Sequence, residues 1–275
     1  MLCFPNAKIN IGLNVINKRS DGYHNIETVF YPIGLSDILE FVPLPGLPAG
    51  NHTFTATGIQ VDGPRENNLC IKAYRLLAGV YNLPAIDIHL HKIIPLGAGL
   101  GGGSSDAAFM LKSLNTQFDL HLNEDQLCDY ASGLGSDCSF FIKNRPLFGY
   151  ERGNRFKEIP ALQAITEIMV INPGIHVDTA SAYSGVRPGL PKRSLEELIA
   201  LPIDEWRNCI FNDFEDSVIK LHPVIGEIKN KLYQLGAVYA AMSGSGSSVY
   251  GLFKEKTADL QAWFPDFFCW SGTTV

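Results

Sequence analysis

Apolar and polar positions alternate from the start of the chain. Ile9, Ile11, Leu13 and Val15 recur at every second residue within 3–16, a period that puts all four on one face of a strand. Short β-branched and aromatic runs at 26–34, 38–43 and 52–57, separated by Gly, Pro and Asp, predict three more strands. The spacing then becomes helical, with Leu69, Ala73, Leu76, Leu77 and Val80 marking a helix over 68–80, and 85–90 reads as strand again. Ala107, Ala108, Met110, Leu111 and Leu114 give the next helix. Ser104 or Ser105 is its expected N-cap, with Asp106 in the first turn, where a carboxylate favours the helix dipole. Asn123 with Gln126 three residues later marks another helix start, followed by Leu127, Tyr130, Ala131 and Leu134.

After about Gly149 a second strand–helix series begins. It has a strand at 167–171, a Ser194/Glu197 capping box, and helices at 215–221 and 224–234. Pro223 opens the last of these and Gly236 lies just past its end. Runs at 238–242 and 249–253 read as strands flanking Ser243-Gly244-Ser245-Gly246-Ser247-Ser248. The pattern predicts a mixed α+β chain of two domains, 1–149 and 150–275.

Composition narrows the function classes. A chain of 275 residues accommodates two modest domains or one large one. No apolar run approaches the roughly 20 residues that span a bilayer, and no secretory signal is visible at the N-terminus. A net charge of −6, from 22 basic and 28 acidic residues, disfavours nucleic acid and anionic membrane as partners. The cysteines (Cys3, Cys70, Cys128, Cys138, Cys209 and Cys269) are scattered without a C-x-x-C, so free thiols in the cytoplasm are expected. His89 and His91 share a strand face but lack a third ligand, which favours a solvated edge over a metal site.

The densest chemical signal lies between the predicted strand at 85–90 and the helix after it. Pro95-Leu96-Gly97-Ala98-Gly99-Leu100-Gly101-Gly102-Gly103-Ser104-Ser105 places bare backbone at a helix N-terminus. That combination aims N–H groups and the positive dipole end at one spot and suits phosphate. It is not a P-loop, because no glycine is followed by lysine. A dinucleotide fold needs a second apolar strand after the helix, whereas 113–126 is polar and helix-starting. The protein-kinase signatures H-R-D and D-F-G are absent.

Three further segments carry polar chemistry. Lys8 and Asn10, in Pro5-Asn6-Ala7-Lys8-Ile9-Asn10, share one strand face. Asp137, in Leu134-Gly135-Ser136-Asp137 before Phe140-Phe141-Ile142, reads both as a helix cap and as a reactive carboxylate. Arg19-Ser20-Asp21-Gly22-Tyr23-His24 reads as a hairpin turn bearing an aromatic pair.

Together these segments resemble the small-molecule kinases of the galactokinase, homoserine, mevalonate and phosphomevalonate (GHMP) superfamily. Ser243–Ser248 resembles its second glycine loop. Residues 7–13 and 19–24 resemble the members of the non-mevalonate isoprenoid pathway that phosphorylate the 2-hydroxyl of a cytidine diphosphate-linked methylerythritol. The resemblance implies a two-domain GHMP kinase fold, ribosomal protein S5 domain 2-like in the N-terminal half and ferredoxin-like in the C-terminal half. It also implies ATP over the glycine loop, Mg2+ carried with the ATP rather than held by a metal site of the protein, and a cytoplasmic monomer or homodimer.

By the same resemblance Asp137 is the catalytic aspartate and Lys8 the lysine beside it. Tyr23, His24 and Tyr183 hold the cytosine, and Asn10 contacts the erythritol hydroxyls. Three positions depart from the pattern: Cys138-Ser139 where Pro is common, Tyr183 where Phe is as common, and Arg152, which has no counterpart. The alternatives are a mevalonate- or homoserine-type kinase, whose acceptor would leave the aromatic set without a task, and a non-catalytic sensor, which would not need both Lys8 and Asp137.

Overall fold

The computed structural model describes residues 1–274 apart from 62, 161–164 and 257–259. They form two compact units. The first comprises Met1–Ala7, Leu35–Leu96 and Gly101–Arg145; the second comprises Lys8–Gly34, Gly97–Leu100 and Pro146–Val275.

The first unit holds a four-stranded sheet in the order Leu2–Cys3, Ile38–Pro43, Ile86–Lys92, His52–Gly58. Ile86–Lys92 runs antiparallel to Ile38–Pro43 and parallel to His52–Gly58. It buries Ile86, Ile88, Leu90 and Lys92, leaving Asp87, His89 and His91 on the other face. The Thr57 hydroxyl sits 2.9 Å from both His89 Nε2 and His91 Nδ1, so these rings are engaged by the neighbouring strand. Helix Leu69–Tyr81 starts at Asn68, whose side chain accepts from the Cys70 amide, and turns Ile71, Tyr74 and Leu77 inward. Gly102–Gln117 buries Ala107, Met110, Leu111 and Leu114, each leucine contributing about 2 kcal/mol of transfer free energy. Glu124–Ser132 carries the expected Asn123/Gln126 capping box, and Cys138–Lys143 follows.

The run expected as one strand over 3–16 is two, Leu2–Cys3 and Asn6–Lys18. Pro5 lies at the break, where a residue without an N–H cannot continue a ladder.

Two further sheets fall wholly or mostly in the second unit. One has the order Asn6–Lys18, His24–Ser36, Leu147–Tyr150, Arg155–Glu158. The other is antiparallel throughout, in the order Tyr239–Met242, Val249–Phe253, Glu167–Asn172, Phe268–Gly272. Counted along the chain that order is second, third, first, fourth, the ferredoxin-like arrangement. Met169, Ile171, Met242 and Val249 pack with Ile225, Ile228 and Leu232 of helix Pro223–Gln234, whose first residue is Pro. The helix at 215–221 is present as Glu215–Leu221. At Ser194 only half of the expected box forms: its hydroxyl accepts from the Glu197 amide, over a helix of just Leu195–Leu198. Among the described residues no helix is long and apolar enough to cross a membrane.

Candidate active site

Gly101, with φ +73°, is the N-cap of Gly102–Gln117. The helix therefore begins before either serine, and the expectation of a Ser104 or Ser105 cap is corrected. A left-handed residue turns the loop directly into the helix, which glycine permits without a Cβ clash. The amides of Gly102, Gly103 and Ser104 consequently lack intrahelical acceptors. A Cβ on Gly103 would meet nothing nearer than Leu69 Cδ1 at 3.8 Å, so space is open there. Ser105 is fully buried and its Oγ has no hydrogen-bond partner. Bare amides and open space at the head of a long helix fit a phosphate chain.

Beneath this turn lies a buried ion cluster that the sequence reading did not identify. Lys92 Nζ donates to Asp106 Oδ2 at 2.8 Å and also to Asp37 Oδ2. Asp37 Oδ1 accepts from the Ile93 and Ile94 amides at 2.6 and 2.8 Å. Burial works against the lysine charge, but the two carboxylates outweigh it and hold its pKa above the usual range. Burial pushes Asp106 up to about 7, opposed by Lys92 and reinforced by Asp37. The clue in the sequence was the strand period, which puts Lys92 in phase with Ile86, Ile88 and Leu90. Asp106 faces this cluster instead of serving only the helix dipole.

Asp137 occupies the N-cap position of Cys138–Lys143, yet its carboxylate makes no capping hydrogen bond. Ser136 Oγ donates to its Oδ1 at 3.3 Å. Two residues earlier, a Cβ on Gly135 would lie 3.4 Å from Ser104 Oγ and 3.2 Å from Cys138 Sγ. The turn leading to Asp137 is thus packed against the phosphate helix. Burial pushes the Cys138 thiol up to about 11, so it stays protonated and unreactive at neutral pH.

In the second unit, Gly97–Leu100 meets the second glycine loop. A Cβ on Gly99 (φ +77°) would lie 1.9 Å from the Ser243 carbonyl oxygen. Close approach of two backbones therefore explains this glycine. Ser243 Oγ donates to the Gly99 carbonyl at 2.8 Å and accepts from the Asn10 amide at 3.1 Å. Lys8 and Asn10 are each 3% exposed. Lys8 Nζ donates to the Gly99 carbonyl at 2.9 Å and to Asn10 Oδ1. Asn10 Nδ2 donates to Thr28 Oγ1 at 3.0 Å, so strand, glycine loop and lysine form one bonded set.

The aromatic residues lie in this same unit. His24 stacks on Tyr183 with centroids 4.6 Å apart and planes at 11°. Tyr183 also meets Phe214 edge-on at 4.8 Å. Tyr23 is 54% exposed, and the Arg152 guanidinium lies 3.6 Å over its ring. Arg152, which had no expected role, is therefore a member of this group.

A cavity of about 400 Å³ in the first unit was not foreseen. Phe54, Ala56, Ile59, Asn67 and Asn68 line it, and Leu69, next in sequence, touches Gly103. Its size falls in the range of small-ligand pockets.

The family model for the GHMP kinases N terminal domain matches residues 68–144, and that for GHMP kinases C terminal matches 191–263. A 4-diphosphocytidyl-2-C-methyl-D-erythritol kinase of Bacteroides thetaiotaomicron is 52% identical over 273 residues, 99% of each chain. One from Chlorobium phaeobacteroides is 37% identical over 260 residues, 90% of this chain and 87% of its own. A crystal structure of a 4-(cytidine 5'-diphospho)-2C-methyl-D-erythritol kinase superposes with a TM-score of 0.81 at 31% identity, covering 99% of this chain and 98% of that one. The Methanococcus jannaschii mevalonate kinase shares the fold, with a TM-score of 0.74 at 14% identity over 100% and 98% of the two chains. By these matches the chain belongs to the 4-diphosphocytidyl-2-C-methyl-D-erythritol kinase family of the GHMP kinases.

Proposed function

We propose that this chain transfers the γ-phosphoryl group of ATP to the 2-hydroxyl of 4-diphosphocytidyl-2-C-methyl-D-erythritol. The observation that carries the site assignment is the packing of Gly135 against Ser104, which supports Asp137 as a neighbour of the phosphate helix. The amides of Gly102, Gly103 and Ser104 receive the phosphate chain, and the adenine occupies the cavity beside Phe54 and Asn68. Mg2+, carried with the ATP, would sit on phosphate oxygens. When bound, it offsets phosphate charge.

Transfer through a loose transition state depends on alignment and charge neutralisation more than on a strong base. Asp137 accepts the 2-hydroxyl proton late and aims that oxygen in line with the γ-phosphorus. Lys8, bonded to the Gly99 carbonyl and the Asn10 amide, brings one positive charge on a side chain with little freedom to move. Tyr23, His24 and Tyr183 take the cytosine, each stacked face contributing about 1–3 kcal/mol.

Release of ADP across a panel of cytidine-linked erythritol, mevalonate, homoserine and galactose tests the reading. Turnover with the cytidine-linked acceptor alone is expected; equal or faster turnover with mevalonate would overturn it.

A further inference from the structure

Lys92, Asp37 and Asp106 form an odd-numbered charge set in a dry place. Asp37 is fully satisfied, with Lys92 on one oxygen and two backbone amides on the other. Asp106 is not: Lys92 bonds its Oδ2, while its buried Oδ1 has no partner. An ionised carboxylate with a bare oxygen away from water costs far more than the neutral acid would there. The odd proton of the cluster therefore belongs to Asp106, in agreement with the upward displacement of its titration to about 7.

The other groups facing the cluster do not change this count. Cys3, from the edge strand, and Cys70, from helix Leu69–Tyr81, both have thiols raised by burial and stay neutral. Lys112, farther along the same helix, is held below the usual lysine range by burial, with Cys3 and Glu124 opposing. With its proton the cluster is neutral; without it, the cluster carries one negative charge.

That charge is close to the phosphate-binding end of the helix. A Cβ on Gly102 would come within 3.0 Å of Lys92 Nζ, so the cluster touches the first helical residue from below. Asp106 is the fifth residue of Gly102–Gln117, about 6 Å along the axis from the first. An extra negative charge there opposes an incoming polyphosphate across roughly one turn.

We infer that the Lys92–Asp37–Asp106 cluster is a proton-linked positioning device for the phosphate helix, in which loss of the Asp106 proton weakens the hold on nucleotide. The inference rests on the kinase reading above. It makes Asp106 a positioning residue that acts through the helix end without touching the reacting atoms. Nucleotide binding in turn favours proton uptake at Asp106, because the two effects are reciprocal.

The test is ADP affinity by calorimetry with excess Mg2+ from pH 6 to 8.5, for the wild type and Asp106→Asn. Wild-type Kd is expected to rise about three- to tenfold across that range, the size of one poorly screened charge at this distance. Asp106→Asn keeps the low-pH affinity throughout, and the titration of the nucleotide itself cancels between the two proteins. Parallel curves would overturn the inference, since a merely structural role moves affinity equally at every pH. A second measurement needs no variant: wild-type binding at pH 7.5 in buffers of unequal ionisation enthalpy should show fractional proton uptake, and none would also overturn it. Tight ADP binding without pH response sinks this inference alone, whereas absence of ADP binding sinks the nucleotide loop as well.

Discussion

The support under the phosphate helix and the aromatic group around Tyr23 solve opposite problems. The first is dry and ionic: Lys92 and Asp37 are almost wholly inaccessible, and their bonds are to charged groups or backbone amides. The second is wetter and aromatic, with Tyr23 half exposed under the Arg152 guanidinium and His24 stacked on Tyr183. Phosphate chemistry needs donors held in one geometry before the ligand arrives, which a paired interior provides. Recognition of a base needs flat faces that the ligand can reach, which a surface provides. Rigidity and accessibility are thus assigned to different places.

The strongest test of this contrast concerns the reaction itself. Asp137→Asn is expected to lower kcat by on the order of 10²–10⁴, while ADP affinity measured by calorimetry stays within about twofold. A comparable loss of ADP affinity would move Asp137 from chemistry to binding. Next in size, Lys92→Ala strands two buried carboxylates, and urea denaturation should show a loss of about 3–5 kcal/mol; a loss below about 1 kcal/mol would mean the interior is wetter than described.

The interior also predicts a pH signature in stability. The folded-state pKa of Asp106 is raised to about 7 from 3.8. Its contribution is therefore present in full below about pH 4 and is lost as pH rises through 7. Thermal melts should show the wild type losing stability relative to Asp106→Asn across that window, by on the order of a few kcal/mol. A constant difference would remove the linkage.

On the exposed side the effects are smaller and fall on KM. Tyr183→Ala should raise KM for the cytidine acceptor about 5- to 100-fold with kcat little changed. Arg152→Ala should change it by no more than about fivefold, as expected for one exposed cation–π contact. Steady-state kinetics on both variants would break the comparison if Tyr183 and Arg152 proved to govern kcat.

Much of this arrangement was legible because it follows from local periodicity. The alternation in 85–90 and the spacing at 107–114 bracketed the glycine loop correctly, and the Asn123/Gln126 box forms as read. The errors have local causes too. Serine's preference for N-caps pointed to 104 or 105, but a left-handed Gly101 starts the helix earlier, and Pro5 divides a run whose hydrophobic pattern continues across it. What could not be read is what depends on partners distant in sequence. Gly99 is glycine because of Ser243, and Asp106 turns inward because of Lys92 and Asp37. Arg152 gains a role only once the turn between Leu147–Tyr150 and Arg155–Glu158 brings it over Tyr23.

Arg152 over Tyr23 and His24 over Tyr183 also bear on selectivity. Neither ring is bare, so under the proposed assignment a pyrimidine reaching them would compete with the guanidinium over Tyr23 and the imidazole over Tyr183. What the protein measures is then a difference between two occupants, and ligands only marginally better than a guanidinium or an imidazole gain almost nothing by entering.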